Sequence, residues 1–160
     1  MNKILAVATK YIGETEKPKN SGFTKPEFEK RMVAVGWGRA MAWCAFFVEL
    51  VCREAMPEQD AELAKLFSGS ALTTYNNFEK IGKTSQTPKI GDLVVWRYGK
   101  TWQGHIGIVT EVYGTDMITT IEGNTNDMGG REGYIVAKKM RKLNQRFLEK
   151  GLNIEGFITV

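Results

Sequence analysis

Apolar residues recur at helical spacing through the first half of the chain and at alternate positions through much of the second. Ile4, Leu5, Ala8, Tyr11 and Ile12 share one side of a helix expected over residues 2–12. Lys17-Pro18-Lys19-Asn20-Ser21-Gly22 reads as a turn. Thr24 then reads as an N-cap, with Pro26 and Glu27 in the first turn of a second helix. That helix runs to about Val35 and stops at Gly36-Trp37-Gly38. A third helix, from about Trp43 to Ala55, carries Ala45, Phe46, Phe47, Val48, Leu50 and Val51. It is apolar almost all the way round, which places it in the core. Residues 60–67 and 70–81 read as shorter helices, the second ending at Gly82.

From Pro88 onward the period becomes two. Strands are expected at Asp92–Arg97, Gly104–Tyr113, Met117–Glu122, Gly133–Met140 and Glu155–Val160. Turn signals separate them at Tyr98-Gly99, Gly114-Thr115-Asp116, Gly129-Gly130 and Gly151. Short links between neighbouring strands imply an antiparallel sheet. Helices followed by strands predict an α+β fold, with the buried third helix packed on a C-terminal sheet.

Composition narrows this picture only a little. The chain has 160 residues, 42% of them hydrophobic, which suits one domain over 1–160 with one core. The net charge of +4 is compatible with an acidic polymer as partner. Lys138, Lys139, Arg141, Lys142 and Arg146 lie close together and read first as a solvated strand end, second as an anion-binding patch. No interleaved stacking aromatics or nucleic-acid module accompany them, so nucleic acid is not an expected partner. The N-terminus lacks the small-residue cleavage site of a signal peptide, and no run approaches the length of a membrane span.

The chemistry starts from two cysteines and one histidine. Cys44 and Cys52 lie eight residues apart in a helical pattern, a separation of roughly 12 Å along the axis. A disulfide needs α-carbons within about 7 Å, so the two do not pair. One His and two Cys also lack the spacing of a zinc site. Cys44 is the candidate nucleophile. It sits at a helix start, where the helix dipole favours a thiolate and free amides can receive an oxyanion. Cys52 lies two turns deeper and reads as core. If an imidazole serves as base, it can only be His105.

His105 opens a strand between Gly104 and Gly107, which reads as room for a substrate chain. A two-residue turn at Gly114-Thr115 would set Gly107 opposite Glu122 and His105 opposite Asn124. Alternation then projects His105, Glu122 and Asn124 from one face, the face on which the Cys44 helix end should rest. Either Glu122 or Asn124 can accept the second ring N–H of His105. Asn124 reads equally well as a turn residue. Trp37, Trp43, Trp96 and Trp102 all read first as core or loop packing; Trp102, in a Gly-rich loop, reads second as lining a substrate groove.

The strings AWCAFF at 42–47, IGDLVVW at 90–96, GHIGIV at 104–109 and IEGNTN at 121–126 together resemble the CHAP domain, a papain-like family related to the NlpC enzymes. The resemblance spans roughly 36–126, and GFITV at 156–160 is similar to that family's closing strand. It implies a papain-like α+β fold and a cysteine amidase or endopeptidase acting on peptidoglycan peptides. It assigns Cys44 as nucleophile, His105 as base, Glu122 as orienting acid and Asn124 as accessory polar group. The stretch Glu16–Gly22 is similar to a lead-in found in phage-associated members, which would set Asn20 beside the cleft. Some members carry an acidic calcium loop before the cysteine. Here Gly36-Trp37-Gly38-Arg39-Ala40-Met41 holds no carboxylate, so no metal and no cofactor are expected.

Two rival readings keep parts of this. One retains the triad in a papain-like protease or acyltransferase on a non-cell-wall substrate, and the other is a non-catalytic cell-wall binding domain. The absence of a leader suggests synthesis in the cytoplasm and action on the wall after release or delivery. A holin, a phage particle or a secretion system would deliver such a protein, and an immunity protein would control it.

Overall fold

The computed structural model describes residues 2–125 and 133–160. Five helices come first: α1 (Lys3–Lys10), α2 (Pro26–Ala34), α3 (Cys44–Ala55), α4 (Asp60–Leu66) and α5 (Ala71–Lys80). Six strands follow: β1 (Thr84–Ser85), β2 (Leu93–Tyr98), β3 (Gly104–Tyr113), β4 (Met117–Thr125), β5 (Ile135–Lys142) and β6 (Leu152–Ile158). The fold is α+β, with the N-terminal helices packed on a six-stranded antiparallel sheet in the order β1-β6-β2-β3-β4-β5. No helix among the described residues is long and apolar enough to cross a membrane. The expected Gly129-Gly130 turn and Asn126 lie outside the described residues.

α3 is the central helix, as its apolar circumference requires. Phe47, Val48, Val51 and Cys52 are wholly buried, in one cluster with Leu93, Val95, Ile106, Ile108 and Ile121 of the sheet. Truncating a side chain such as Phe47 would cost about 3–5 kcal/mol. The opposite face of the sheet is also covered, by a smaller cluster of Val94, Trp96, Val109, Ile118 and Phe157. That explains why Leu93 to Trp96 form an unbroken apolar run: β2 lies inside the sheet and both its faces are buried.

One local expectation needs correction, and two features of the sheet went unpredicted. Lys25, not Thr24, caps α2, because Pro26 takes the first helical position and the Thr24 hydroxyl pairs with that of Thr15 at 2.9 Å. The short strand β1 carries no pattern that two residues could show. β6 returns across the sheet to lie between β1 and β2, a long-range pairing that linker length does not reveal.

The turn between β3 and β4 is a second correction, with an instructive outcome. Tyr113 pairs with Met117, so the loop holds three residues, Gly114 to Asp116, rather than two. A bulge between Val109 and Glu111 takes up the extra residue, and beyond it Ile108 pairs with Ile121. The two deviations cancel, and the register at the functional end is the one the two-residue turn predicts.

Candidate active site

The start of α3 is fixed before its chemistry begins. Gly13, Glu14 and Glu16 bond to the edge of β5 through Gly13 N–H to Val136 O, Val136 N–H to Glu14 O and Glu16 N–H to Tyr134 O. From this segment the buried Glu16 carboxylate accepts the indole N–H of Trp43 at 2.9 Å. Trp43 precedes Cys44, is fully buried, and stands edge-on to Phe23 and Phe47. It supplies no side-chain cap, so the first amides of α3 are left for another acceptor. Ahead of it, Ala40 holds a left-handed φ of 68° with its N–H on the Asn20 carbonyl, at 3.2 Å. Asn20 thus braces the loop before Cys44 through its carbonyl and is not among the residues that line the cavity.

Cys44 and His105 meet where β3 begins. Cys44 and His105 line the same cavity, near enough that the thiol helps set the imidazole's titration, and His105 Nε2 lies 2.8 Å from Glu122 Oε2. With Nε2 committed to Glu122, Nδ1 is the nitrogen left to face sulfur. Burial disfavours the imidazolium, but hydrogen bonds to Cys44 and Glu122 and their charges outweigh it, raising His105 to about 9. Cys52 remains in the core, where burial pushes its thiol up and away from reactivity.

His105 and Glu122 share one face as expected, and the start of α3 meets it, but the body of that helix packs on the other face. Alternation places His105 with Trp96, Gly107 and Val109, the side of the sheet opposite the body of α3. The helix packs on one face, and only its first residue reaches round the sheet end to the histidine. The flanking glycines also have a different purpose from the one expected. A Cβ on Gly107 would stand 2.7 Å from Glu122 Cγ, and one on Gly104 would stand 2.9 Å from both Leu72 Cγ and the Trp96 carbonyl. They make room for the protein's own side chains.

Glu122 is wholly buried and fully bonded. Besides His105, it accepts from the Thr120 hydroxyl at 2.6 Å and from Arg141 Nε at 2.8 Å and Nη2 at 2.5 Å. These four donors use about all the acceptor sites a carboxylate has. Burial opposes its ionisation, yet Arg141 and His105 overcome that and hold the carboxyl well below its usual range. Sequence reasoning missed Arg141, which belongs to the basic cluster expected to be solvated. Its only signal was a minor one: an arginine among lysines, the side chain suited to gripping a carboxylate with two parallel bonds.

Asn124 occupies neither of its expected positions cleanly. The β3–β4 ladder ends at Ile108↔Ile121, and β4 shifts register against β5 between Glu122 and Thr125. Asn124 sits in that irregularity with a left-handed φ of 53° and lines the cavity instead of facing His105 across a ladder. The cavity, of about 510 Å³, is bounded by Cys44, His105, Asn124 and Arg141 on one side. Gly69, Ser70 and Ala71 at the start of α5, Tyr98 at the end of β2, Trp102 and Lys150 from loops and Leu152 at the start of β6 also line it. Trp102 is 78% exposed, while Trp37, Trp43 and Trp96 are packed as expected.

A thiol at a helix start, an imidazole beside it and a buried carboxylate behind the imidazole, all on an α+β frame, form the arrangement that thiol-dependent acyl-transfer enzymes, cysteine hydrolases among them, use. The model of the CHAP domain family matches residues 35–124, more than half of the chain, and the chain belongs to that family. The family consists typically of cysteine hydrolases acting on peptidoglycan. Comparison with curated proteins and with solved structures returns no match. The matched segment contains Cys44, His105, Glu122 and Asn124 but ends before Arg141.

Proposed function

We propose that this chain hydrolyses an amide bond of peptidoglycan, either N-acetylmuramoyl-L-alanine or a stem-peptide bond, through a thioester on Cys44. The observation that carries the reading is the Cys44–His105–Glu122 relay opening onto a cavity of about 510 Å³. His105 takes the thiol proton, and the thiolate attacks the amide carbonyl carbon. The resulting oxyanion lies at the start of α3, where the Cys44 N–H is available to it. Collapse of the tetrahedral species expels the amine, which leaves with the proton from His105. Water, deprotonated by His105, then attacks the thioester and returns the thiol and a free carboxylate. Glu122 holds the imidazole in the required tautomer throughout.

The exposed face of Trp102 and the Lys150 ammonium at the rim suit an extended, partly acidic peptide. Mass spectrometry of purified sacculi digested by the protein tests this reading. New muropeptide termini at one amide position, each product pair heavier by one water, are expected. Intact muropeptides beside turnover of casein or a lipid ester would instead favour the protease or acyltransferase reading.

A further inference from the structure

Behind His105 the relay does not stop at Glu122. Arg141 reaches it from β5 and places Nε and Nη2 against the two carboxylate oxygens at 2.8 and 2.5 Å. The guanidinium is held from its other side as well, lying 5.3 Å from the Trp96 ring centre. Trp96 itself is 2% exposed and stacks on the His105 ring at 5.6 Å with an interplanar angle of 24°. One indole thus backs both the imidazole and the guanidinium, and Glu122 bridges the two cations.

Two consequences follow from this geometry. A carboxylate at the end of a rotatable chain has many orientations, and a two-point grip in a buried site leaves it one. A buried carboxylate with no second cation would also add a net negative charge beside the Cys44 thiolate. With Arg141 present, the thiolate, imidazolium, carboxylate and guanidinium sum to zero. We propose that Arg141 is a positioning residue of the hydrolytic site: it fixes the Glu122 carboxylate against His105 and balances its charge, so that the relay has four residues rather than three. This inference rests on the hydrolase reading for its functional meaning, but its electrostatic part does not depend on any substrate.

The charged and titratable groups around His105 are Cys44 from α3, Glu122 from β4 and Arg141 from β5, with Lys139 further along β5 and Tyr98 and Lys150 across the cavity. Removing the positive charge of Arg141 favours protonation of Glu122, which it grips, and of His105 beside it. His105 is the one histidine in the chain, so its imidazole resonances in an NMR titration need no assignment.

The test titrates wild type, Arg141→Gln and Arg141→Lys by NMR and measures kcat/KM against pH with muropeptide or sacculi. In Arg141→Gln the His105 midpoint is expected to rise by about one pH unit. In Arg141→Lys, which keeps the charge without the two-point grip, the midpoint should stay near that of wild type while kcat falls about tenfold or more. Should Arg141→Gln fail to fold, the Lys variant alone decides, since full kcat there shows the grip to be dispensable. An unchanged or lowered His105 midpoint in Arg141→Gln, or wild-type kcat in either variant, would overturn the proposal. Failure of the hydrolase reading looks different: the NMR midpoints shift as expected while no variant, wild type included, turns over peptidoglycan.

Discussion

Adding one methyl group at Gly107 should disable the site without touching any residue proposed to react. The backbone there is not in the left-handed region, so alanine meets no conformational penalty. The obstacle is steric: the new Cβ would lie 2.7 Å from Glu122 Cγ and 3.5 Å from its Cδ. Glu122 has no free space to enter, being wholly buried and tied to His105, Thr120 and Arg141. Overpacking of this kind costs about 1–3 kcal/mol, and loss of one buried hydrogen bond adds about 1–3 kcal/mol. For a chain of 160 residues, each kcal/mol lowers Tm by about 2–4 °C, so Gly107→Ala should melt roughly 4–24 °C below wild type. With His105 released from its acceptor, kcat/KM on muropeptides should fall roughly 10- to 100-fold. Gly114→Ala serves as the control. Its φ of 56° is unfavourable for alanine but the added Cβ meets nothing within 4 Å, so stability falls by about 1 kcal/mol and kcat/KM is retained. Circular dichroism melts and initial rates on the same preparations decide the matter. A Gly107→Ala protein with wild-type Tm and wild-type kcat/KM would refute the reasoning about Glu122.

Other perturbations separate the parts of the account. Cys52→Ala should keep kcat/KM on sacculi while losing about 1 kcal/mol of stability in urea, because its thiol is buried away from the cavity; loss of activity would put Cys52 in the mechanism. The pH dependence of stability has a definite sign. His105 is raised from 6.5 to about 9 in the folded chain, so its contribution is fully present below about pH 6.5 and is lost as pH rises through about 9. Urea midpoints should therefore decline across that interval, and the His105 component of that decline should vanish in His105→Phe. Glu122 is depressed, so its contribution is present above its ordinary range near 4.5 and is lost as acid protonates it; Glu122→Gln should blunt the acid limb of the same curve. Trp102→Ala should leave Tm unchanged, because the side chain is 78% exposed, and should raise KM several-fold with little effect on kcat.

The legibility of this site in the sequence follows physical range. α3 was legible because an all-round apolar stretch has nowhere to go but the core, and Cys44 because it stands at the start of that stretch. β3 and β4 were legible from their alternation, and Glu122 from the pairing that alternation implies. What stayed hidden depends on contacts distant in sequence. Arg141 looks like its lysine neighbours until β5 is laid beside β4 and the side chain turns toward Glu122. The side of the sheet that His105 occupies could not be read either, because β2 is apolar on both faces and gives no sign of which one meets α3. Gly104 and Gly107 announced a close approach correctly, but a glycine does not say what approaches it.

The central claim is that sulfur at Cys44 forms the bond to the substrate. Release of new amino termini from purified sacculi, compared between wild type and Cys44→Ala at matched concentration, tests it most directly. Steady release by wild type and a loss of at least about a thousandfold in Cys44→Ala are expected, with the variant's His105 NMR signal still showing a folded site. Release at the wild-type rate by Cys44→Ala would contradict the claim.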